Sequence, residues 1–533
     1  MQDLIPIQTV LVSVTDKSGL REFLAGLMEI NPKIRLIASG GTAKELDAGG
    51  IGYTALNQYT GFPECFDGRV KTLHPHVAGG LLLRRGKDET EAEQLGISPI
   101  DMVLCNLYRF EERAADASLP MDELVEYMDI GGSTLIRAAC KNYARVGVVT
   151  DPSDYPKLLE TIREEGGALS LEAREKLAVK AINLSADYEA ALAKAFTKRL
   201  SGEETARPCL VLGQKLRYGE NPGQEGWVYK FSKQGGVANA RLLSGKEPSY
   251  NNYEDANAAY GAVQELEAAG AAVVKHGSLC GFATGESASE AFQKAWEGDP
   301  KSAFGGVVAF NTPVNEELYN ELEGKFIEVI VAPQFDEGFV ARCRDKRGNL
   351  RLLEAPAEKK GGLFYRNVSG GMLVQTKKGQ LFSRPLEELV RPAKEGGGIV
   401  TKALPETGQT PLFAFAVAAV NHAKSNAIAI AREWKKGCYQ LVGVGAGQPN
   451  RVDSLQRLAV PKAQQLLGKE RLEGCVMASD GFFPFDDSVR YAASCGIKYC
   501  IQPGGSKRDE EVVRAADELG LCMLFTGERY FTH

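Results

Sequence analysis

Two patterns of residues in this chain could do chemistry. The first is a series of hydroxyl- and glycine-rich phrases that each trail a β-rich run, SVTDKSG (Ser13 to Gly19) and ASGGTAK (Ala38 to Lys44). Hydroxyls, glycine backbone and positive helix ends at the carboxyl edge of a parallel sheet are the parts of a phosphate cradle. Ser-Gly-Gly-Thr alone is as often a plain strand-to-helix turn, and Lys17 is what shifts the balance toward a site. Arg69, Lys71, Thr72 and His74 then crowd a polar stretch interrupted by Pro75. Such a segment is poor core material, although charge clusters are more often solvated faces than sites. Asn106 and Tyr108 close the run CNLYRF, and Asp129 stands just before Gly131-Gly132 with Lys141 on the helix that follows.

The second pattern centres on histidine, of which there are five: His74, His76, His276, His422 and His533. His276 follows the strand-like AAVV and adjoins Lys275, so a neutral base and a cation sit side by side at a strand end. Such a pair offers one group that can take a proton and one that can steady negative charge. An isolated Lys-His pair is usually a surface accident. Its weight comes from the glycine- and polar-rich strand ends that follow: GDPKSAFGGVVAFN, KSNAIAIA, GVGAGQPNRVDS, ASDGFFPFDDS, QPGGSKRDEEVV and FTGERYFTH.

Elements must position these groups. From Val10 to Thr150 the β-rich runs VLVSV, RLIAS, DMVLCNLY and ARVGVVT alternate with amphipathic segments at Leu20 to Ile30 and Thr42 to Ala48. This alternation predicts a parallel sheet flanked by helices. Between Asp154 and Leu200 the pattern turns to Ala/Leu/Glu/Lys-rich helix and ends in the polar SGEETARP, which puts a domain boundary near Gly202. Residues 1–202 and 203–533 are then separate domains. The second mixes strands (AAVVKH, GGVVAFN, EVIVAP, CVMASD) with helices and is long enough for two α/β lobes, dividing between Gly370 and Arg391.

Composition excludes several classes. A chain of 533 residues exceeds one ordinary core. Net charge −6 opposes general attraction to nucleic acid or anionic membrane and suits a small anionic substrate. The N-terminus shows no basic segment followed by a long apolar stretch, and no run approaches the roughly 20 apolar residues of a bilayer span, so the reading is cytoplasmic. Eleven cysteines without a CxxC pair suggest neither a disulfide framework nor structural zinc.

In order and spacing, SVTDKSG, ASGGTAK, GRVKTLHP, CNLY and DIGGSTLIRAACKN resemble the inosine monophosphate (IMP) cyclohydrolase domain of the bifunctional purine biosynthesis proteins. LRYGENPGQ, YNNYEDANAA and the strand-end phrases above resemble that family's formyltransferase domain. The latter formylates aminoimidazole carboxamide ribonucleotide (AICAR) from 10-formyltetrahydrofolate. The resemblance implies a methylglyoxal-synthase-like parallel-sheet domain followed by a two-lobed, cytidine-deaminase-like α/β domain. In the first domain it implies that Thr15, Asp16, Lys17, Ser39, Gly40, Gly41, Thr42, Arg69, Val70 and Thr72 hold the nucleotide. Cys105, Asn106, Asp129 and Ile130 would lie at its base, and Lys71, Tyr108, Asp129 and Lys141 would be catalytic, with Lys141 the proton donor and acceptor.

For the second domain the resemblance implies His276 as general base and Lys275 as transition-state stabiliser. Arg217, Tyr218, Asn252, Gly305, Glu328, Asn426 and Arg529 would bind the nucleotide. Arg451, Val452, Phe482, Asp487 and Lys507 would bind folate, with flat apolar surface from Phe482-Phe483-Pro484-Phe485. It further implies a homodimer, with Arg451 borrowed across the interface, and admits a bound monovalent cation that the sequence does not place. The partners are then small nucleotide and folate substrates, not nucleic acid or membrane. Departures from the family are Ala78 where a second histidine is frequent, Gly277-Ser278-Leu279-Cys280-Gly281 after the catalytic pair, and Ser488 in place of asparagine. Two rival readings are a first domain that only senses a phosphate ligand, and a zinc deaminase in the second. The zinc reading lacks H-x-E and P-C-x-x-C elements.

Overall fold

The computed structural model describes residues 3–38, 40–66, 68–231, 235–358, 361–393, 397–468 and 472–533. By contacts it forms two units, Met1–Cys209 and Leu210–His533.

In the first unit Thr9–Ser13 is the central strand of a five-stranded sheet. Arg35–Ala38 and then Thr54–Ala55 lie on one side, Met102–Cys105 and then Gly147–Val149 on the other, and every pairing is parallel. Side chains alternate across the sheet, as a period of two requires. Val10 and Val12 pack with Leu20, Phe23, Leu24 and Leu27 in one apolar layer, whereas Leu11 joins Val77, Leu135, Ile136 and Tyr188 in the other. Both faces are therefore covered, the usual condition of a parallel sheet. Helix Leu20–Ile30 takes the span its i, i+3, i+4, i+7 apolar spacing predicts. The next helix starts two residues before the amphipathic signal, at Gly40, and runs to Ala48. The region after Asp154 holds helix Tyr155–Glu164, a short strand Ala168–Ser170 antiparallel to Leu4–Pro6, and the 26-residue helix Leu171–Phe196.

Strand order places the site. The chain leaves the central strand first toward Arg35–Ala38 and later returns on its other flank as Met102–Cys105. A crevice opens where connections diverge in this way, beyond the carboxyl ends of Thr9–Ser13 and Met102–Cys105.

The second unit is built on one twelve-stranded sheet. Its order is Arg241–Ser244, Arg351–Glu354, Ile327–Ala332, Gly306–Phe310, Gly270–Lys275, Ser278–Thr284, Cys438–Gly445, Ile428–Lys435, Val476–Ser479, Tyr499–Gln502, Cys522–Phe525, Gly398–Ile399. The two halves repeat one plan. Each has a hairpin, a strand antiparallel to the hairpin's first strand, two further parallel strands, and an antiparallel edge. They meet where the second strands of the hairpins pair, at Ala283 and Gln440. One apolar layer runs beneath both halves, under helices Tyr250–Val263 and Thr410–Asn421. The latter helix is buried nearly all round, as its unbroken apolar sequence demands. Among the described residues no helix is long and apolar enough to cross a membrane.

Candidate active sites in the two units

The crevice of the first unit is held together by amide groups. The backbone amides of Thr15 and Asp16 both donate to Asn106 Oδ1, at 2.6 and 3.0 Å, and Asn106 Nδ2 donates back to the Asp16 carbonyl at 2.9 Å. Asn106 thus joins the loops at the ends of two adjacent strands. The buried Thr42 hydroxyl accepts from the Val14 amide at 3.1 Å and donates to the Val14 carbonyl at 3.2 Å, drawing helix Gly40–Ala48 against the same loop. The hydroxyl and amide of Ser18 hold the Asp16 carboxyl below the usual range, and Arg109 adds to this. At Gly40, φ +54°, a β-carbon would stand 3.5 Å from Lys71 Nζ, and one at Gly41 would stand 4.0 Å from Lys17 Nζ. Two ammonium groups therefore converge on a helix N-terminus, which suits a phosphate. Ser39 lies outside the described residues.

Across this crevice Asp129 caps helix Ile130–Lys141, accepting from the Gly132 amide at 2.6 Å, while its own amide donates to the Tyr188 hydroxyl at 2.7 Å. Burial pushes the Asp129 carboxyl up; the Gly132 amide, the Lys71 ammonium and the Tyr108 amide pull the other way. The Lys71 ammonium and the Tyr108 backbone amide therefore lie near Asp129, whereas the Tyr108 side chain is exposed. Cys105 lies buried below, its thiol pushed up by burial and then by Asp129, with Sγ 3.7 Å from the Gly132 carbonyl. Thr72 packs so closely on the helix start that a β-carbon at Gly131 would fall 2.3 Å from its Oγ1. Val70, Lys71 and His74 line a cavity of about 300 Å³ with Thr60, Phe62 and Leu73. His74 caps the next helix, its Nδ1 accepting from the His76 amide at 3.2 Å. Ile130 is exposed, and Arg69 forms a surface ion pair with Glu126 at 2.8 Å.

Lys141 is not brought to this cluster within one chain. It ends the helix whose other end Asp129 caps, and 12 residues at 1.5 Å each separate them by roughly 18 Å. Lys141 instead lines a hollow of about 970 Å³ with Leu82, Ala138, Val179 and Ile182.

In the second unit Lys275 ends one strand of a hairpin, pairs with Ser278, and leaves His276-Gly277 as a two-residue loop. Both loop residues have positive φ, +52° and +67°, as a type I′ loop requires. The His276 amide donates to Asp255 Oδ2 at 3.1 Å and the Gly277 amide to Asp255 Oδ1 at 2.6 Å. Lys275 Nζ donates to the Phe304 carbonyl at 2.5 Å. Next to it Gly305, φ +72°, leaves room for that ammonium: a β-carbon there would stand 3.5 Å from it. Lys424 Nζ approaches the loop from the segment between helix Thr410–Asn421 and strand Ile428–Lys435, 4.0 Å from where a Gly277 β-carbon would be. Two residues on, Asn426 Nδ2 donates to the carbonyls of Gln448 and Pro449 at 3.1 and 3.0 Å, and its Oδ1 accepts from Arg451 at 2.8 Å. Arg451 also binds the buried Asp480 carboxylate at 2.8 Å and the Phe482 carbonyl at 3.0 Å. Arg451 and Phe531 both crowd Gly481, and the Arg529 guanidinium lies 5.3 Å from the Phe531 ring centre. Lys275, His276, Gly305, Asn426, Arg451 and Arg529 thus belong to one connected region.

Asn252 forms a capping box with Ser249 and donates to Glu328 Oε2 at 2.9 Å. Arg217 lies over the Tyr218 ring, on a loop that Asn251 Nδ2 ties to the same helix through the Glu220 carbonyl at 3.3 Å. In the FFPF phrase Phe483 is core at 0% exposure, Phe482 is half-buried, and Phe485 is 47% exposed beneath Arg508. Val452 is half-buried beside Arg451; Asp487 and Lys507 are exposed. Among the described residues, no hydrogen bond or ion pair joins Arg217, Asp487 or Lys507 to the His276 loop. Sequence reasoning missed Asp255, Lys424 and Asp480. Asp255 reads as a surface helix acid, and only its place three residues beyond Asn252 on one helix face hints otherwise.

A crevice of amides and ammonium groups in one unit, and a base beside a cation at a hairpin tip in the other, define a chain carrying two α/β enzyme sites for small anionic substrates. Residues 19–134 match the model of the MGS-like domain, and residues 139–462 that of the AICARFT/IMPCHase bienzyme. The chain belongs to the AICARFT/IMPCHase bienzyme family and is a bifunctional enzyme, AICAR formyltransferase and IMP cyclohydrolase. A relative named bifunctional purine biosynthesis protein PurH, from Chelativorans sp. (strain BNC1), is 42% identical over 547 residues, covering 100% of this chain and 98% of its own. Another of that name, from Aquifex aeolicus (strain VF5), is 43% identical over 531 residues, covering 98% and 99%. A solved structure titled "Crystal structure of ForH" is 32% identical, covers 36% of this chain and 98% of its own, and has a TM-score of 0.32.

Proposed function

We propose that the two activities divide between the two units and serve de novo purine synthesis in the cytoplasm. Residues 203–533 transfer the formyl group of 10-formyltetrahydrofolate to AICAR; residues 1–202 close the formylated product to IMP with loss of water. The observation that carries the reading is the tethered Lys275-His276 pair. In formyl transfer the AICAR amine attacks the formyl carbon, His276 takes the proton it loses, and the folate nitrogen departs with a proton. Lys275, with one N–H on the Phe304 carbonyl, keeps two donors for the developing oxyanion. Asn426, Arg529, Gly305 and the loop of Arg217 and Tyr218 bind the nucleotide, with Asn252 and Glu328 behind them. Phe482, Val452, Asp487 and Lys507 form the folate side, and Arg451 ties Phe482 to Asn426 of the nucleotide side.

In cyclisation the carboxamide nitrogen attacks the formyl carbon, and the carbonyl oxygen leaves as water once two protons have moved to it. A carboxamide nitrogen is a feeble nucleophile, so orientation supplies much of the rate. Lys17 and the amides of Gly40, Gly41 and Thr42 take the phosphate, Thr72, Asn106 and Ile130 orient the base, and Lys71, Tyr108 and Asp129 move protons.

Lys141 joins them from a second copy. The apolar surroundings of Lys141, including exposed Val179 and Ile182, support a homodimer through this face. A bound monovalent cation accompanies the reading without an assigned place. The test supplies protein with AICAR and 10-formyltetrahydrofolate and follows folate release and IMP together. His276→Ala should stop the first and spare cyclisation of supplied formyl-nucleotide. Inactive Lys141→Ala and Asp129→Ala proteins should regain cyclisation when mixed under exchange. Sedimentation of a fully active monomer, or normal cyclisation by Lys141→Ala, refutes the shared site.

A further inference from the structure

Among the described residues only Phe66 and His276 are non-glycine residues at positive φ. For an L residue that conformation costs about 1–2 kcal/mol, so something must hold His276 there. Hairpin closure alone does not. The second half of the sheet repeats the hairpin with Lys436-Gly437 as its loop between Lys435 and Cys438, and there only the glycine, φ +73°, is left-handed. In that loop the Gly437 amide is taken by Glu433 of its own strand at 2.6 Å. In the His276 loop both amides are taken by one carboxylate from outside the hairpin. Asp255, on helix Tyr250–Val263, uses Oδ2 for His276 and Oδ1 for Gly277.

We propose that Asp255 is the positioning residue of the formyl-transfer site, clamping the His276-Gly277 turn in its left-handed form so that the imidazole meets the attacking amine. This rests on His276 being the base. With both amides bound, φ of His276 is set and with it the direction in which Cα–Cβ leaves the turn. Bonds from amides to a carboxylate are among the stronger hydrogen bonds, and engagement of both oxygens fixes the carboxylate's rotation. The clamp is also registered to the nucleotide side. Asp255 lies three residues after Asn252, whose amide holds Glu328, so one helix face sets both the base loop and the strand end beside Gly305.

The test compares Asp255→Ala, Asp255→Asn, His276→Ala and the Asp255→Ala/His276→Ala double variant in the full chain. It reads formyl-transfer kcat and KM, AICAR binding by calorimetry, and cyclisation of supplied formyl-nucleotide. A misaimed base loses about 10- to 100-fold in rate. Asp255→Ala should therefore drop formyl-transfer kcat by that factor while AICAR affinity and cyclisation stay within about twofold. Asp255→Asn, whose single carbonyl oxygen still accepts one amide, should recover part of the loss. Asp255→Ala should add nothing in the His276→Ala background, because two residues acting through one step are not additive. An unchanged kcat in Asp255→Ala, a loss confined to KM or shared with cyclisation, or an additive double variant overturns the clamp. Normal formyl transfer by His276→Ala overturns the base assignment itself, and is seen without reference to Asp255.

Discussion

Replacing Arg451 by alanine separates a ligand from a structural clamp. Its side chain is 10% exposed and that of its partner Asp480 is 0% exposed. The guanidinium donates to Asp480 Oδ1 through Nε at 3.3 Å and Nη2 at 2.8 Å, to the Phe482 carbonyl at 3.0 Å and to Asn426 Oδ1 at 2.8 Å. Without it the buried carboxylate keeps the Ser425 hydroxyl and loses its counter-charge. Breaking such a pair from one side costs about 3–5 kcal/mol, chiefly for the unpaired charge left behind. At roughly 2 °C per kcal/mol for a unit of this size, the melting midpoint of the second unit should fall by about 6–10 °C. Asn426 also loses the donor that orients it, so KM for AICAR should rise more than KM for the folate. The assay is scanning calorimetry of the full chain beside formyl-transfer kinetics. Arg451→Met with Asp480→Leu should recover much of the midpoint, since no charge is then stranded. A variant Arg451→Ala that keeps its midpoint and raises only the folate KM would refute this reasoning. The guanidinium would then serve a folate carboxylate instead.

Two further outcomes follow from the first unit. Burial raises the Asp129 carboxyl above its ordinary value of 3.8, so the fold favours the protonated form. Its contribution to stability is complete below pH 3.8 and is lost as pH rises through the folded-state value. Asp129→Asn still offers Gly132 a carbonyl oxygen but does not titrate. The unfolding free energy of wild type minus variant should fall as pH rises from 3.8 through the raised folded-state value and then level; a difference that grows with pH contradicts the burial argument. Gly131→Ala sets a methyl 2.3 Å from Thr72 Oγ1 and must displace it. Cyclisation should fall about tenfold or more, in keeping with the cost of misplacing a binding group, with formyl transfer unchanged, and Thr72→Ala should give part of it back. Full cyclisation by Gly131→Ala would show that Thr72 does not bear on the substrate.

Much of the fold could be read locally. Helix Leu20–Ile30 and the strands of the first sheet carry their own apolar period, and Val10, Leu11 and Val12 reveal by alternation that both sheet faces are covered. The crevice was legible too, because hydroxyls and glycines recur where strands end. Lys275-His276 announced itself by scarcity of histidine. Other features were not visible. Arg174 sits in what reads as an exposed helical charge run, yet it is fully buried because the carbonyls of Asp3, Tyr143, Ala144 and Leu169 converge on its guanidinium. Phe483 and Phe485 belong to one phrase and end in core and solvent respectively.

The sequence by itself determined which groups stand at strand ends and which segments bury an apolar face, since periodicity and turn chemistry depend on neighbours a few residues apart. Tertiary structure alone decided which polar groups complete one another, because those partners lie far apart in the chain: Asn106 with Thr15, Asp255 with His276, Arg451 with Asp480. A buried donor or acceptor left unmatched is costly, so the fold must supply each partner from wherever its topology allows. That requirement, which no local pattern records, places His276 in its left-handed turn and ties Arg451 to Asp480.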